Sequence, residues 1–476
     1  MSRKWIAGRL IVVCIIAAGF LVPSLAAPAR TVLIPETLAR TLLVSSGSPQ
    51  VRFLFPPTHV AFSWYGDEGT GVRYRTISAT GRVGRWRRAP ESHDAERGNR
   101  HFTAVIRVDR PVALTYEPLR PVGAVMGAAT FDYMNTADGP VRAVRVPVLA
   151  HAAAEDPAVV TRAEWGADES MKGTAGGCER RFFAVQQLFV HHTAGRNDDP
   201  DPAGTMRAIY EYHTQRQGWC DVGYNFVIGP DGTIFEGRWA RRYGPWEIHS
   251  SEDLDRRAVA GAHVAGYNSG SVGVSVMGNY SQVRPSPAVR RALAELLAWE
   301  ADRHDLDPLG KHTYVNPESG TARELKVIAG HRAAGSTECP GNFLNRSLGG
   351  VRRDTAAVMG TGKSTSLLSL TASRTSVPAG ESVTYFGRLS DAAGTGLVNR
   401  SVTIYQRVRR GQWFVAEQLL TGLDGSFQFD SSPTATTTTR AVFSGESSIW
   451  GAQSHDVRVR MLTSPSPTPA TTPRGE

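Results

Sequence analysis

The chain has 476 residues, of which 41% are hydrophobic and 20% are charged. This composition is typical of globular proteins and excludes a wholly disordered or fibrous chain, and the length predicts about two to four domains. Four cysteines are too few for a disulfide-dense scaffold. The formal net charge of +9 favours an anionic partner, but no run of five Lys or Arg residues occurs, so we expect no nucleic acid partner.

The first 26 residues are predicted to be a secretory signal peptide. Three cations within the first nine residues precede an apolar stretch over 10–22, and small residues at 24 and 26 complete a cleavage site. An uncleaved N-terminal anchor is the alternative, because the apolar stretch is long. No stretch of 18 apolar residues follows residue 27. We therefore expect a secreted chain with no stable membrane insertion after signal cleavage.

Residues 28–150 are predicted to form a β-rich domain of unknown role. Apolar or alternating segments of strand length are separated by clusters of Gly, Pro and Asp, a pattern that favours a β-sandwich. No catalytic constellation is visible there, and residues 138–160 are expected to be a linker because they are polar and rich in Pro and Ala. The predicted strands are Val51–Phe55, Val60–Tyr65, Gly71–Arg75 and Phe102–Val108.

Residues 161–350 mix helix and strand patterns. They predict a central α/β domain with a mixed β-sheet flanked by helices, and the strongest helix begins at Ser286 and Pro287 and ends near Asp307. The other predicted elements are a buried strand over Phe182–Val190, a helix over Thr205–Gln217, a hairpin over Asn225–Arg238, a strand over Val272–Met277 and a helix over Phe343–Met359.

Residues 366–463 return to short strands rich in Thr and Val, with turns such as Asp424–Gly425 at regular spacing. This pattern is typical of an immunoglobulin-like β-sandwich. Residues 464–476 are rich in Ser, Pro and Thr and are predicted to be a disordered tail. The predicted strands are Ser366–Thr371, Ser382–Phe386, Ser401–Tyr405, Trp413–Val415 and Arg440–Phe443.

Three cysteines remain once Cys14 leaves with the signal peptide. Cys178 and Cys220 lie near the starts of segments that should pack together, so we predict a disulfide between them. Cys339 is then a free thiol. A free thiol in a secreted protein is a liability unless it is a nucleophile or a metal ligand.

Histidines accompany Cys339 at suggestive positions. His331 lies eight residues before it, and His191 and His192 end a predicted strand. Neighbouring residues on a strand point to opposite faces, so only one of this pair can easily join His331 and Cys339. Two imidazoles and a thiolate suit Zn²⁺ and leave a fourth position for water. On spacing alone, a Cys/His nucleophile pair or three unrelated polar residues remain open alternatives.

Nine short motifs occur in order within the central domain, after an opening segment Thr161–Ala167. Together they closely resemble the peptidoglycan recognition proteins and the type 2 N-acetylmuramoyl-L-alanine amidases, including phage amidases; the resemblance covers about residues 160–350. The motifs are Val190–Gly195, Tyr212–His213, Gly218–Phe226, Asp231–Arg238, Gly261–His263, Gly266–Asn268, Gly273–Ser275, Gly330–Arg332 and Thr337–Gly341.

The resemblance implies a zinc amidase that cuts between the lactyl group of N-acetylmuramic acid and the first L-alanine of the stem peptide. The family's zinc ligands fall on His191, His331 and Cys339, and its catalytic tyrosine falls on Tyr224. Thr337 stands where phage members carry lysine and many recognition-protein amidases carry threonine. Members that only bind peptidoglycan usually lack the cysteine ligand. A non-catalytic recognition protein is the alternative.

The resemblance also implies substrate contacts. Gly218 and Trp219 resemble the pair found in members that prefer meso-diaminopimelate, and Arg238 matches an arginine that meets its extra carboxylate. We expect peptidoglycan, of the meso-diaminopimelate type, as the partner, and association with the cell wall through the two β-rich flanks. The other positions that match groove contacts to sugar or peptide are His192, Thr193, His263 and Asn268.

Overall fold

The computed structural model describes most of the chain after residue 28. The described ranges are 29–44, 50–67, 69–97, 99–120, 125–147, 157–173, 177–244, 247–360, 366–409, 411, 413–443, 445–446, 449 and 452–462. The predicted signal peptide over 1–26, with Cys14, and the predicted tail over 464–476 lie outside them. Within the described ranges, no helix combines the length and apolar character needed to cross a membrane.

The N-terminal strands form two sheets that share one aromatic core. One sheet has the order β3-β10-β5-β6, and the other has the order β2-β11-β4-β8-β7, while β1 and β12 pair in a separate ribbon. Phe62 and Phe131 from the second sheet pack with Tyr116 from the first. The strands are β1 Ala29–Pro35, β2 Leu38–Val44, β3 Gln50–Arg52, β4 His59–Gly66, β5 Gly71–Ile77, β6 Arg87–Arg88, β7 Glu91–Arg97, β8 Arg100–Thr103, β9 Ile106–Arg107, β10 Ala113–Leu119, β11 Met126–Asn135 and β12 Val141–Pro147.

The central elements surround a mixed sheet of order β13-β17-β16-β19-β15-β22, in which only β16 and β17 are antiparallel. Helices α3 and α4 cover one face of this sheet, and α2 covers part of the other. The elements are β13 Val159–Val160, α1 Arg162–Trp165, β14 Phe182–Phe183, β15 Gln187–His192, α2 Pro202–Glu211, β16 Phe226–Ile228, β17 Ile234–Glu236, β18 Ala258–Val259, β19 Ser271–Val276, α3 Pro287–Arg303, β20 Lys311–Val315, β21 Ala322–Lys326, β22 Ile328–Gly330 and α4 Asn342–Met359.

Residues 366–462 form two further sheets, of orders β23-β25-β28 and β24-β31-β29-β26-β27, which enclose a common apolar core. Arg440 on β29 joins them to the central elements, because it donates to the carbonyl of Leu254 at 2.5 Å and pairs with Asp255 at 2.7 Å. The strands are β23 Ser366–Ala372, β24 Ser376–Val377, β25 Val383–Asp391, β26 Ser401–Val408, β27 Phe414–Leu420, β28 Ser426–Ser431, β29 Thr437–Phe443, β30 Ala452–Gln453 and β31 Val457–Met461.

Helix boundaries follow the capping residues. The predicted start of α3 is confirmed, since the Ser286 hydroxyl accepts the Val289 amide at 3.2 Å and Pro287 occupies the first turn. The helix predicted over 205–217 begins earlier, at Pro202, because Asp201 caps it by accepting the Gly204 amide. It then widens into a π-helical turn over Tyr212–Arg216, a form that recurs near functional sites.

Three strand or linker predictions were wrong in part. The strand expected over 182–190 is two strands, because β14 leaves the central sheet to pair with β18. The strand expected over 102–108 breaks between β8 and β9 at Ala104 and Val105. The linker expected over 138–160 contains β12, which pairs with β1 along its whole length; residues 148–156 lie outside the described residues.

Candidate metal centre and substrate groove

Strand alternation separates the two histidines that end β15. Val190 belongs to the core under α3 and α4, so His191 points to the opposite face of the sheet. His192 points toward that core, where its Nδ1 accepts the backbone amide of Tyr280 at 3.2 Å. The structure therefore brings His191, and not His192, into the candidate metal centre.

His191, His331 and Cys339 form one cluster whose possible ligand atoms all lie within 4.8 Å of one another. His331 directly follows β22, the neighbour of β15, and Cys339 lies eight residues further along the same connection. All three side chains are buried, with 0%, 3% and 5% of their surface exposed. The three residues that the sequence predicts as ligands are thus together and shielded from bulk water.

The cluster fits a zinc ion. His191 Nδ1 lies 3.6 Å from Cys339 Sγ. Zinc bonds of about 2.3 Å to sulfur and about 2.1 Å to nitrogen, at a tetrahedral angle, hold two such atoms about 3.6 Å apart. A thiolate with two imidazoles is also a donor set that selects zinc over hard cations such as Mg²⁺. These residues could therefore hold a zinc ion through His191 Nδ1.

Backbone groups fix the cysteine in this cluster. Cys339 Sγ accepts the His192 amide at 3.5 Å, and the Cys339 amide donates to Thr337 Oγ1 at 3.0 Å. An N–H donated to sulfur favours the thiolate, which is the form that binds metals. Thr337 is half-buried, and its bond to the Cys339 amide places its hydroxyl beside the cluster.

His263 lies underneath the cluster. Its Nδ1 is 3.2 Å from His191 Nε2, and its ring is completely buried. Asn268 Oδ1 accepts the amides of both His263 and Val264, at 2.7 and 2.9 Å, so it braces this loop. In this structure His263 and Asn268 therefore support the site, and their predicted contacts to the substrate stay predictions.

Tyr224 and Trp219 belong to the loop that precedes β16. The Tyr224 ring lies 5.5 Å from the His191 ring, while the His213 ring lies 4.5 Å from Trp219. His213 Nδ1 accepts the Gly223 amide at 3.2 Å and so holds the loop against α2. Gly218 has φ +68°, in the left-handed region that favours glycine, and this turn directs Trp219 toward His213.

Two further predicted contacts lie on either side of this loop. Arg238 Nη1 donates to the carbonyl of Val222 at 3.2 Å, and burial lowers the pKa of its guanidinium, which Asp221 only partly offsets. Thr193 follows β15, and its hydroxyl accepts the Gly278 amide at 3.1 Å. Both residues lie close to the loop that carries Tyr224. Arg238 contacts this loop at Val222, and Thr193 lines the same small space as Tyr224.

The predicted disulfide is confirmed. Cys178 and Cys220 are bonded across 42 residues of sequence, and Cys339 is buried and takes no part in a disulfide. Cys220 directly follows Trp219. The bridge therefore anchors the loop that carries both Trp219 and Tyr224.

The N-terminal strands also border this site, which no motif in the sequence predicts. Thr103, Ala104 and Val105 lie against Thr193 and Tyr224 across the same small space. In the sequence these residues belong to an apolar run that predicts one continuous strand over Phe102–Val108. The break in that strand, which directs these residues toward the site, depends on packing that no local pattern reports.

Comparisons with known proteins agree with these motifs. A family model described as N-acetylmuramoyl-L-alanine amidase matches residues 181–342. Peptidoglycan-recognition protein SC2 of Drosophila simulans is 31% identical over 188 residues, which cover 39% of this chain and 82% of that protein. N-acetylmuramoyl-L-alanine amidase of Homo sapiens is 32% identical over 192 residues, which cover 40% of this chain and 27% of that protein. The solved structure of wild-type Drosophila PGRP-LB aligns with 40% of this chain and 91% of its own, with 26% identity and a TM-score of 0.29.

The chain thus belongs to the family of the peptidoglycan recognition proteins and type 2 N-acetylmuramoyl-L-alanine amidases. Membership supports one of two activities, which are cleavage of peptidoglycan as an amidase and recognition of peptidoglycan.

Proposed function

We propose that the chain is a secreted, zinc-dependent N-acetylmuramoyl-L-alanine amidase that hydrolyses the amide between N-acetylmuramic acid and L-alanine in peptidoglycan. The observation that carries the proposal is the cluster of His191, His331 and Cys339, whose ligand atoms lie within 4.8 Å of one another beside Tyr224. Cys339 matters most, because the resemblance implies that members which only bind peptidoglycan usually lack it.

The protein binds and orients the metal in this proposal. A bound zinc ion supplies Lewis-acid activation of water and of the scissile carbonyl. If His191 held the metal through Nδ1, the proton of its ring would lie on Nε2 and would be donated to His263 Nδ1, which is 3.2 Å away. His263 is therefore a positioning residue, which fixes the tautomer and the ring plane of the ligand.

Two hydroxyls can stabilise the charge that develops on the carbonyl oxygen. The Tyr224 ring lies 5.5 Å from the His191 ring, beside the residues that would hold the metal, and we assign its hydroxyl as a donor to the scissile carbonyl. Thr337 Oγ1 already accepts the Cys339 amide, so its own proton remains available for donation. A placed donor of this kind contributes about 10²- to 10³-fold to turnover.

The substrate class follows from the groove. We assign Arg238 to a carboxylate of a meso-diaminopimelate stem, because a guanidinium reads a carboxylate through two parallel hydrogen bonds. Burial lowers the pKa of Arg238, and an anionic ligand would compensate its charge. Gly218 and Trp219 complete this end of the groove, and Thr193 lines the start of it. His192 is not assigned to the groove, because its ring points toward the core under α3 and α4.

We assign the two β-rich flanking regions to attachment of the enzyme to the cell wall. We assign 28–150 and 366–463 to two separate β domains, the second immunoglobulin-like, that keep the enzyme near the cell wall after removal of the signal peptide. Paired sheets with a common core in both regions support this division. Secretion is supported by the signal-like start of the sequence and by the Cys178–Cys220 disulfide, since such bonds persist in oxidising compartments.

Product analysis tests the proposal. Incubation with soluble muropeptides should release a free stem peptide with an L-alanine amino terminus, detected by mass spectrometry, and His191→Ala should abolish this release. His455→Ala, which changes an exposed histidine far from the cluster in sequence, is the matched control and should leave release unchanged. Tight binding of muropeptide without release of any peptide would instead support a recognition protein.

A further inference from the structure

The N-terminal strands pack directly on the groove side of the central elements. Phe102 and Val105 belong to one hydrophobic cluster with Ile209 and Tyr212 of the α2 segment and with Trp219. Trp219 is only 7% exposed within this cluster. The residue proposed to read the stem peptide therefore has little surface left for a ligand.

The space in front of Tyr224 is almost filled. Thr103, Ala104 and Val105 bound it on one side, and Thr193 and Tyr224 bound it on the other. The volume of this space is about 20 Å³, enough for about one water molecule. Tyr224 is 3% exposed. A stem peptide cannot enter here while the strand break at Ala104 and Val105 stays in place.

Ion pairs hold this arrangement just beyond the strand break. Arg107 lies 3.3 Å from Asp199 and 3.8 Å from Asp201, in the connection between β15 and α2. Asp109 pairs with Arg196 in the same connection at 2.5 Å. The side chains of Arg107 and Asp199 are 15% and 4% exposed, so their pairing is shielded from salt.

Hydrogen bonds extend the interface along α2. His59 Nε2 and Thr205 Oγ1 lie 2.8 Å apart, both buried. The Tyr212 hydroxyl donates to the carbonyl of Phe62 at 3.1 Å, and Arg207 donates to that of Thr136 at 3.0 Å. The contact is thus a packed interface with apolar, polar and ionic parts.

We propose that the N-terminal strands form a cap on the substrate groove, and that the stem peptide binds only after the corner at Thr103–Val105 is displaced. The cap (the described residues of 29–147) is then an intramolecular competitor of the substrate. This inference rests on the proposed function, since that function makes the space at Tyr224 the place of the stem peptide.

The cap should lower the apparent affinity for the substrate by a predictable factor. When only a fraction of molecules has an open groove, the apparent dissociation constant equals the intrinsic one divided by that fraction. Weakening the cap should therefore tighten substrate binding, although the changed residue touches no substrate. Loss of a groove wall would have the opposite effect.

Point variants of the full chain test the cap. Arg107→Ala removes the ion pairs to Asp199 and Asp201. Asp199 then stays buried without Arg107 in the capped form, and this cost destabilises the capped form but not the open one. Val105→Asp places a charge in the closed interface and is a second, independent variant. Arg110→Ala is the matched control, because Arg110 pairs with Asp138 within the cap itself. Calorimetry checks that each variant is folded.

Binding is measured in chains that also carry Cys339→Ser, which prevents turnover. The probe is soluble N-acetylmuramoyl tripeptide containing meso-diaminopimelate, titrated calorimetrically. Arg107→Ala and Val105→Asp should bind it about tenfold more tightly or better, and Arg110→Ala should match the parent chain. Hydrogen exchange of the amides over 218–224 should be faster in the first two variants and unchanged in the control.

Other results separate the two proposals. Equal affinity in all chains, or weaker binding by Arg107→Ala, overturns the cap. Tighter binding by Arg107→Ala, combined with no cleavage by the same variant with Cys339 intact, leaves the cap standing and refutes the amidase. Absence of binding in every chain overturns both proposals.

Discussion

The substitution Gly273→Ala should disturb the candidate metal centre through His263, which contacts His191. Gly273 lies on β19, and a Cβ atom there would be 2.4 to 2.6 Å from three ring atoms of His263. Ordinary contacts between such atoms are about 3.5–4.0 Å. The His263 ring must therefore move by about 1 Å, although it is fully buried and its loop is held by Asn268.

The expected cost combines two effects. Overpacking of a closed interior costs about 1–3 kcal/mol, and loss of the hydrogen bond between His263 and His191 adds about 0.5–1.5 kcal/mol. Gly273→Ala should thus lower the free energy of unfolding by about 2–4 kcal/mol. Zinc affinity should fall by about 10- to 100-fold as well, because the ring of His191 loses its support.

Urea unfolding of the metal-free chain and competition with a chelator measure these two quantities. The matched control is Gly349→Ala on α4, where the nearest atom to an added Cβ is the flexible end of Arg353 at 4.0 Å. The same substitution should stabilise the chain there, by about 0.5–1 kcal/mol, because alanine favours helix. A loss below about 0.5 kcal/mol for Gly273→Ala, or unchanged zinc affinity, would refute the supporting role of His263.

Three further predictions concern catalysis, the disulfide and pH. Tyr224→Phe should reduce muropeptide turnover by about 10²- to 10³-fold while zinc content stays constant; metal loss would contradict the role of the hydroxyl. Replacing Cys178 and Cys220 by Ser together should lower stability by about 4 kcal/mol, since the bridge closes a loop of 42 residues; an unchanged melting temperature under oxidising conditions would argue against this. Burial lowers the pKa of His304, but its ion pairs with Glu252 and Glu300 have the larger, opposite effect and raise this pKa to about 9. The resulting stability, about 3 kcal/mol, should be complete below pH 6.5 and disappear as pH rises toward 9, whereas His304→Gln should lack this slope in urea unfolding.

The metal cluster could be predicted because its information is local. His191, His331 and Cys339 each occur in a short motif, and the motifs keep a fixed order. Strand alternation then allows only one of His191 and His192 to join the cluster, and the family resemblance selects His191. The Cys178–Cys220 bridge was likewise accessible, since its alternatives among the three remaining cysteines were few.

Other features depend on packing between distant segments. His263 lies 72 residues from His191, and only the close approach of Gly261 and Gly273 to its ring shows that it is interior. Residues 102–108 alternate like a single strand, yet Ala104 bonds its amide to the carbonyl of Pro90, and pairing with β4 resumes only at Ile106. No sequence pattern reports such a break.

Zinc content and amide cleavage, measured on the same samples, test the central claim most directly. The samples are the wild-type chain and Arg107→Ala, each with and without Cys339→Ser. The account predicts about one zinc per chain with Cys339 present, and release of an L-alanine amino terminus that is fastest in Arg107→Ala and absent with Cys339→Ser. Cleavage that persists without Cys339, or zinc-loaded chains that release no stem peptide even as Arg107→Ala, would contradict it.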